Sequence, residues 1–160
     1  MTAKRKNYVC ISWMLVLAVM IFIFTMSAAN ASDSSEMSNS LLLKITELTG
    51  IEISSYFVRK AAHFSEFALL SFLLTNAIFA TFQNKKAGVF AFPCACLYAV
   101  TDELHQLFSD GRACSVKDML IDSAGALLGA VIFSFIILIY IKYSKRNTER
   151  KKDNGSFKTV

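Results

Sequence analysis

The sequence is poor in the residues that interrupt or charge a chain. It contains one proline, and charged side chains make up only 18% of 160 residues. That composition does not fit an ordinary soluble domain. Cysteine is sparse too, at Cys10, Cys94, Cys96 and Cys114. Cys94-Ala95-Cys96 lacks the C-x-x-C spacing of zinc and thioredoxin motifs. A disulfide framework is therefore not expected, and the cysteines within apolar stretches read as small core hydrophobes. There is no H-E-x-x-H pair and no internal repeat.

What is present is apolar. Hydrophobic residues make up 54% of the chain, with fourteen phenylalanines among them. A bilayer core of about 30 Å needs about 20 apolar residues per helix. Four segments qualify, at 8–29, 61–82, 87–108 and 118–141. The expected fold is all-α, an integral membrane bundle of four transmembrane helices in one domain over residues 1–143. Residues 144–160 are charged and read as a basic, irregular tail.

The net charge of +5 is unevenly placed. Lys4, Arg5 and Lys6 precede the first segment, and Lys85 and Lys86 join the second to the third. Lys142, Lys145, Arg146, Arg150, Lys151, Lys152 and Lys158 follow the fourth. These regions hold 12 of the 17 basic residues. The positive-inside rule then predicts both termini in the cytoplasm of a multi-pass protein. The tail suits anionic lipid headgroups better than nucleic acid, which is not an expected partner. The start resembles a secretory leader, with Ala29-Asn30-Ala31 as an A-x-A site. The run from Tyr8 to Met26 is longer than the usual ~7–15 residues of such a leader, so a retained helix is expected.

Between the first two segments, Asn30 to Ser40 is rich in Ser and Asn and reads as irregular. Leu41, Leu42, Ile45 and Leu48 suit a short amphipathic helix at the interface. Gln83 to Lys86 allows only a tight turn, and Asp110-Gly111 is a second turn signal. Tyr8, Trp13, Tyr140 and Tyr143 suit interfacial belts. Thr75 and Asn76 suit helix–helix hydrogen bonds.

The informative residues are the polar ones inside apolar segments. Helical positions three and four apart share a face. Arg59, His63 and Glu66 align in the second segment; Asp102, His105 and Gln106 align in the third, with Glu103 beside them. Asp118 and Asp122 align in the fourth, and Gly125 and Gly129 continue their stripe. At 1.5 Å per residue, Glu66, Asp102 and Asp122 fall roughly 9–10 Å inside the outer boundary. His63 and His105 fall about 5–6 Å inside it. Three helices thus bring polar groups to one layer near the extracytoplasmic side. A charge facing lipid at mid-bilayer costs about 2.5–3.5 kcal/mol on insertion scales. These groups are therefore expected to face one another or a wet cavity. Gly125, Ala126, Gly129 and Ala130 permit the close helix approach that this needs.

Three readings stay open for that layer: a network that fixes the bundle, a site for an external or lipid-linked ligand, and a proton relay or metal site. No cofactor is expected, although His63, His105 and the neighbouring acids are donor types that a divalent metal accepts. For acid–base chemistry the candidates are His63, Glu66, Asp102 and His105, because a desolvated carboxylate and an imidazole can exchange a proton near neutrality.

The segments SWMLVLAVMIFIFTMSA (12–28), VRKAAHFSEFALLSFLL (58–74) and YAVTDELHQLFSDGRACSVKDMLIDSAGALLG (98–129) resemble the VanZ-like family. Its pattern has an R-K-x-A-H-F-x-E-Y block, a D-E-x-H-Q block, and a G-R block leading to D-x-x-x-D-x-x-G. Phe67 stands where tyrosine is usual, so a hydroxyl is missing there. The resemblance implies a small multi-pass protein of a bacterial envelope, most often Gram-positive. The family takes its name from a member linked to decreased sensitivity to the glycopeptide teicoplanin. Positions carried over are Arg59, Lys60, His63, Glu66, Asp102, Glu103, His105, Gln106, Arg112, Asp118 and Asp122. The expected ligand is a lipid-linked cell-wall precursor or another anionic envelope molecule, met from the outer leaflet. Arg59, Lys60 and Arg112, with Lys117 at the rim, would pair with its phosphate.

Overall fold

The computed structural model describes residues 2–28, 31–50, 54–108 and 114–156. Arg112, the Asp110-Gly111 turn and the Ala29-Asn30 pair lie outside the described residues. Five helices follow one another: α1 (Ala3–Ser27), α2 (Ala31–Thr49), α3 (Ser55–Phe82), α4 (Ala87–Gln106) and α5 (Val116–Ser156). No strand occurs among the described residues. Helices α1, α3, α4 and α5 are long and apolar enough to cross a membrane, and α2 is not among them. The all-α membrane bundle read from the sequence is the observed architecture.

Three of the differences from the sequence reading have a clear local reason. Helix α3 starts at Ser55 rather than 61, because the Ser54 hydroxyl accepts a hydrogen bond from the Phe57 N–H at 3.3 Å and caps the first turn. Apolarity marks where lipid begins, whereas the cap marks where the helix begins. Helix α2 takes in Ala31–Thr49, including the stretch expected to be irregular. Ser and Asn are poor helix formers, but no glycine or proline interrupts them. Gly50, with φ +69°, ends the helix as its N–H reaches the Thr46 carbonyl at 2.8 Å. Helix α5 runs on to Ser156, so the tail expected to be irregular extends a helix already nucleated in its apolar part.

Helix α3 is the centre of the bundle and packs against the other four. The tight turn expected at 83–86 is present. Gln83 adopts a left-handed φ of 53°, and the Asn84 side chain accepts from the Lys86 N–H at 2.9 Å. Lipid offers helices no hydrophobic drive to associate, so close packing must do it. Two seams supply that. On α5, a Cβ added to Gly125 would collide with the Phe64 carbonyl of α3, and one on Gly129 with the Ala68 carbonyl. On α4, Ala87, Ala91, Ala95 and Ala99 are fully buried at four-residue intervals, and Glu103 continues the row. Helix α1 is more peripheral. Ser12, Val16, Ile23 and Ser27 are its buried residues, and most of its large apolar side chains are exposed.

The bundle has two different ends. The beginning of α1 meets the end of α3, where the Arg5 guanidinium donates to the Ala80 and Thr81 carbonyls at 3.1–3.4 Å. There Tyr8 Oη donates to Asn76 Oδ1 at 2.7 Å, and Asn76 Nδ2 donates to Ser12 Oγ at 3.2 Å. Trp13 Nε1 donates to Thr81 Oγ1 at 3.1 Å. Asn76 thus makes the interhelical bonds expected of it, while Thr75 bonds within its own helix to Ser71. The opposite end gathers the start of α3, the end of α4 and the start of α5.

Candidate functional site

Each of those three helices presents its polar groups for a local reason. Once α3 is capped by Ser54, Lys60, His63 and Glu66 fall on the side toward α4 and α5. The small residues of α4 bring its last turns flush against the bundle, which leaves Asp102, Glu103 and Gln106 buried. Gly125 lets α5 approach the Phe64 backbone, next to His63, and Asp122 one turn earlier is carried inward with it.

The result is a compact constellation. One ligating atom each from His63, Asp102 and Asp122 lies within 4.8 Å of the others. Asp102 is 3% exposed and Asp122 1%. Asp102 Oδ2 accepts from Gln106 Nε2 at 3.2 Å. Neither carboxylate oxygen of Asp122 has a hydrogen-bond partner among the described residues. Glu66 Oε2 stands 3.9 Å from Nδ1 of His63, within ion-pair reach and beyond a hydrogen bond.

Other sequence candidates surround this trio in distinct roles. Lys60 forms an ion pair with Asp118 and lies 5.3 Å above the Tyr56 ring. Its charge is thus engaged within the protein. Glu103 Oε2 accepts from the Ser115 N–H at 2.9 Å, and Ser115 Oγ accepts from the Asp118 N–H at 3.4 Å. Glu103 therefore ties the end of α4 to the capped start of α5. Arg59 is half-buried and Lys117 exposed near the same end.

His105 does not join the trio. Its ring lies against Phe24 of α1, with centroids 4.2 Å apart, and its Nδ1 is buried without a hydrogen-bond partner among the described residues. It lines a cavity of about 400 Å³ together with Phe24, Tyr98, Thr101, Asp102, Leu104 and Phe108. Tyr98 Oη fixes one wall by donating to the Met20 carbonyl at 2.7 Å. Asp102 belongs to both places: it lines the largely apolar groove and contributes to the buried trio.

Sequence spacing identified His63, Asp102 and Asp122 but grouped Asp102 with His105, its neighbour three residues on. The structure keeps those two on the wall of one cavity, but only Asp102 also reaches the trio. Two residues escaped notice. Ser115 carried a usable signal, since Ser115-x-x-Asp118 before an apolar run is a helix-start pattern. Phe24, as one of fourteen phenylalanines, carried none.

Chemically, an imidazole and two carboxylates at this spacing can share a proton or hold a cation. No curated protein and no solved structure matches the chain. The VanZ/LLP1 family model matches residues 12–139 and takes in all the helices that form the constellation, so the chain belongs to that family.

Proposed function

We propose that this chain is an envelope protein of a bacterial cell membrane that receives an amphiphilic ligand from the outer leaflet, and that it thereby lowers susceptibility to glycopeptide antibiotics. The observation that carries the reading is the position of Asp102, shared between an apolar groove on α1 and α4 and the buried acids behind it. A lipid-linked cell-wall precursor has the matching form, with an apolar chain for the groove and an anionic head for the polar layer. Arg59 and Lys117 supply positive charge near that end. Both termini are cytoplasmic in this reading, which the 12 of 17 basic residues at that end support.

A membrane-embedded enzyme is the second reading. The proximity of His63, Glu66 and Asp102 favours it, because these groups are placed to exchange protons. In a third, the layer only holds helices together, as the Glu103–Ser115 and Gln106–Asp102 bonds do.

One experiment separates these readings. A deletion strain is complemented with wild type, Asp102→Asn or His105→Ala, and membrane level and glycopeptide susceptibility are read together. Variants that accumulate normally but fail to restore the phenotype support a working site. Variants that vanish from the membrane assign the residues to structure. Normal levels with normal susceptibility reject the proposal. Turnover of a lipid-linked precursor by purified protein distinguishes enzyme from binder.

A further inference from the structure

We propose that His63, Asp102 and Asp122 form a binding site for one divalent transition-metal ion, with zinc or manganese as the fitting ions. Three observations converge on it. The first is geometric: the three ligating atoms come from three different helices yet lie within 4.8 Å of one another. Ligands around a tetrahedral zinc, at about 2.0–2.2 Å from the metal, are about 3.4 Å apart. A contraction of up to about 1.4 Å, within the reach of side-chain rotation, closes the site around an ion.

The second observation is the state of Asp122. Its side chain is 1% exposed, and neither oxygen meets a donor among the described residues. Buried polar groups are nearly always partnered, and an orphan needs an explanation. Two carboxylates buried this close repel each other and are stripped of water, which is costly unless a cation compensates. Lys60 on α3 is paired with Asp118 instead.

The third is donor chemistry. A neutral imidazole and two carboxylates balance the charge of a divalent ion. The mixed nitrogen and oxygen set suits zinc and manganese better than calcium, which takes oxygen ligands, or copper(I), which prefers sulfur. Glu66, 3.9 Å from Nδ1 of His63, is a further carboxylate at hand to complete the set or steady the ring.

An ion held by three protein ligands keeps positions open. Such a position would accept a phosphate oxygen at a place otherwise lined by acids. That consequence rests on the ligand reading above, whereas the metal site itself does not.

The test uses full-length protein in detergent, stripped with a chelator and titrated separately with Zn²⁺, Mn²⁺ and Co²⁺. Binding is followed by calorimetry and, for Co²⁺, by its visible ligand-field bands. Expected are about one equivalent per chain and a metal-dependent rise in unfolding temperature. Asp122→Asn and His63→Gln should each weaken binding ~100-fold or more, since even indirect partners of metal ligands contribute 10–100-fold. Arg5→Ala, at the opposite end of the bundle, should bind like wild type. Helical circular dichroism checks that each variant is folded, and Asp102→Asn replaces any that is not. Absence of stoichiometric binding overturns the proposal. So does binding that survives Asp122→Asn, which would point to one of the free cysteines. Because every readout is of metal, the site can fail while the antibiotic phenotype stands, and the reverse.

Discussion

The two ends of this bundle both bury polar side chains between helices, and they treat them oppositely. Around Asn76, the groups complete one another: Tyr8 donates to its oxygen, and its nitrogen donates to Ser12. Around Asp122, they do not, for neither carboxylate oxygen meets a donor among the described residues. The first arrangement is what a hydrogen-bonded seam needs to hold α1 to α3. The second spends stability and holds no helices together by itself. Asp122 is thus the exception in its own layer, where Lys60 pairs with Asp118, Glu103 bonds to Ser115 and Asp102 to Gln106.

The difference can be broken most severely through packing. Gly125→Leu drives a side chain into the Phe64 backbone and should separate α5 from α3 at the level of the trio. A loss of about 3 kcal/mol or more is expected, read by thermal unfolding in detergent. The Asn76 end should be the last part to lose amide-exchange protection.

A sharper contrast comes from a matched pair. Asn76→Ala leaves the Tyr8 hydroxyl without its acceptor and Ser12 Oγ without the donor from α3, and should destabilise by about 1–3 kcal/mol. Asp122→Asn, in metal-free protein, removes a carboxylate that has no donor among the described residues and should be neutral or stabilising by about 1 kcal/mol. Denaturation of the two variants side by side checks the opposite signs. Equal losses would mean that the two layers are alike.

Glu103→Ala should be milder. It removes the acceptor for the Ser115 N–H at the start of α5 and should cost about 1–2 kcal/mol. Faster hydrogen exchange confined to the first turns of α5 would report it. Smallest is Arg5→Ala, which uncaps the last carbonyls of α3. A cost of about 0.3–1 kcal/mol is expected, with metal binding at the far end unchanged.

The spans were legible because lipid imposes a simple rule, long apolar runs, and all four emerged from it. Their ends were less so. Ser54 and Gly50 set helix limits through single hydrogen bonds and one positive φ, features that hydropathy does not register. The basic residues after Tyr143 looked too charged to be ordered, yet charge does not prevent a helix already under way from continuing. For the site, depth and face brought out His63, Asp102 and Asp122, because membrane insertion makes such residues rare. Which acid would meet which histidine was not legible. Spacing of three or four tells only what shares a helix face, whereas Asp122 reaches His63 across a seam set by Gly125.

The row of alanines on α4 carries a consequence for genetics. Ala91, Ala95 and Ala99 have no chemistry of their own, and a reader looking for function would pass over them. Yet each fixes how near the helix that bears Asp102 can lie to its neighbours. A valine at Ala95, two turns from Asp102, would displace that carboxylate as surely as a change at the acid. Unbiased selection for loss of activity should therefore mark a narrow line down the middle of the membrane, made of residues that touch no ligand at all.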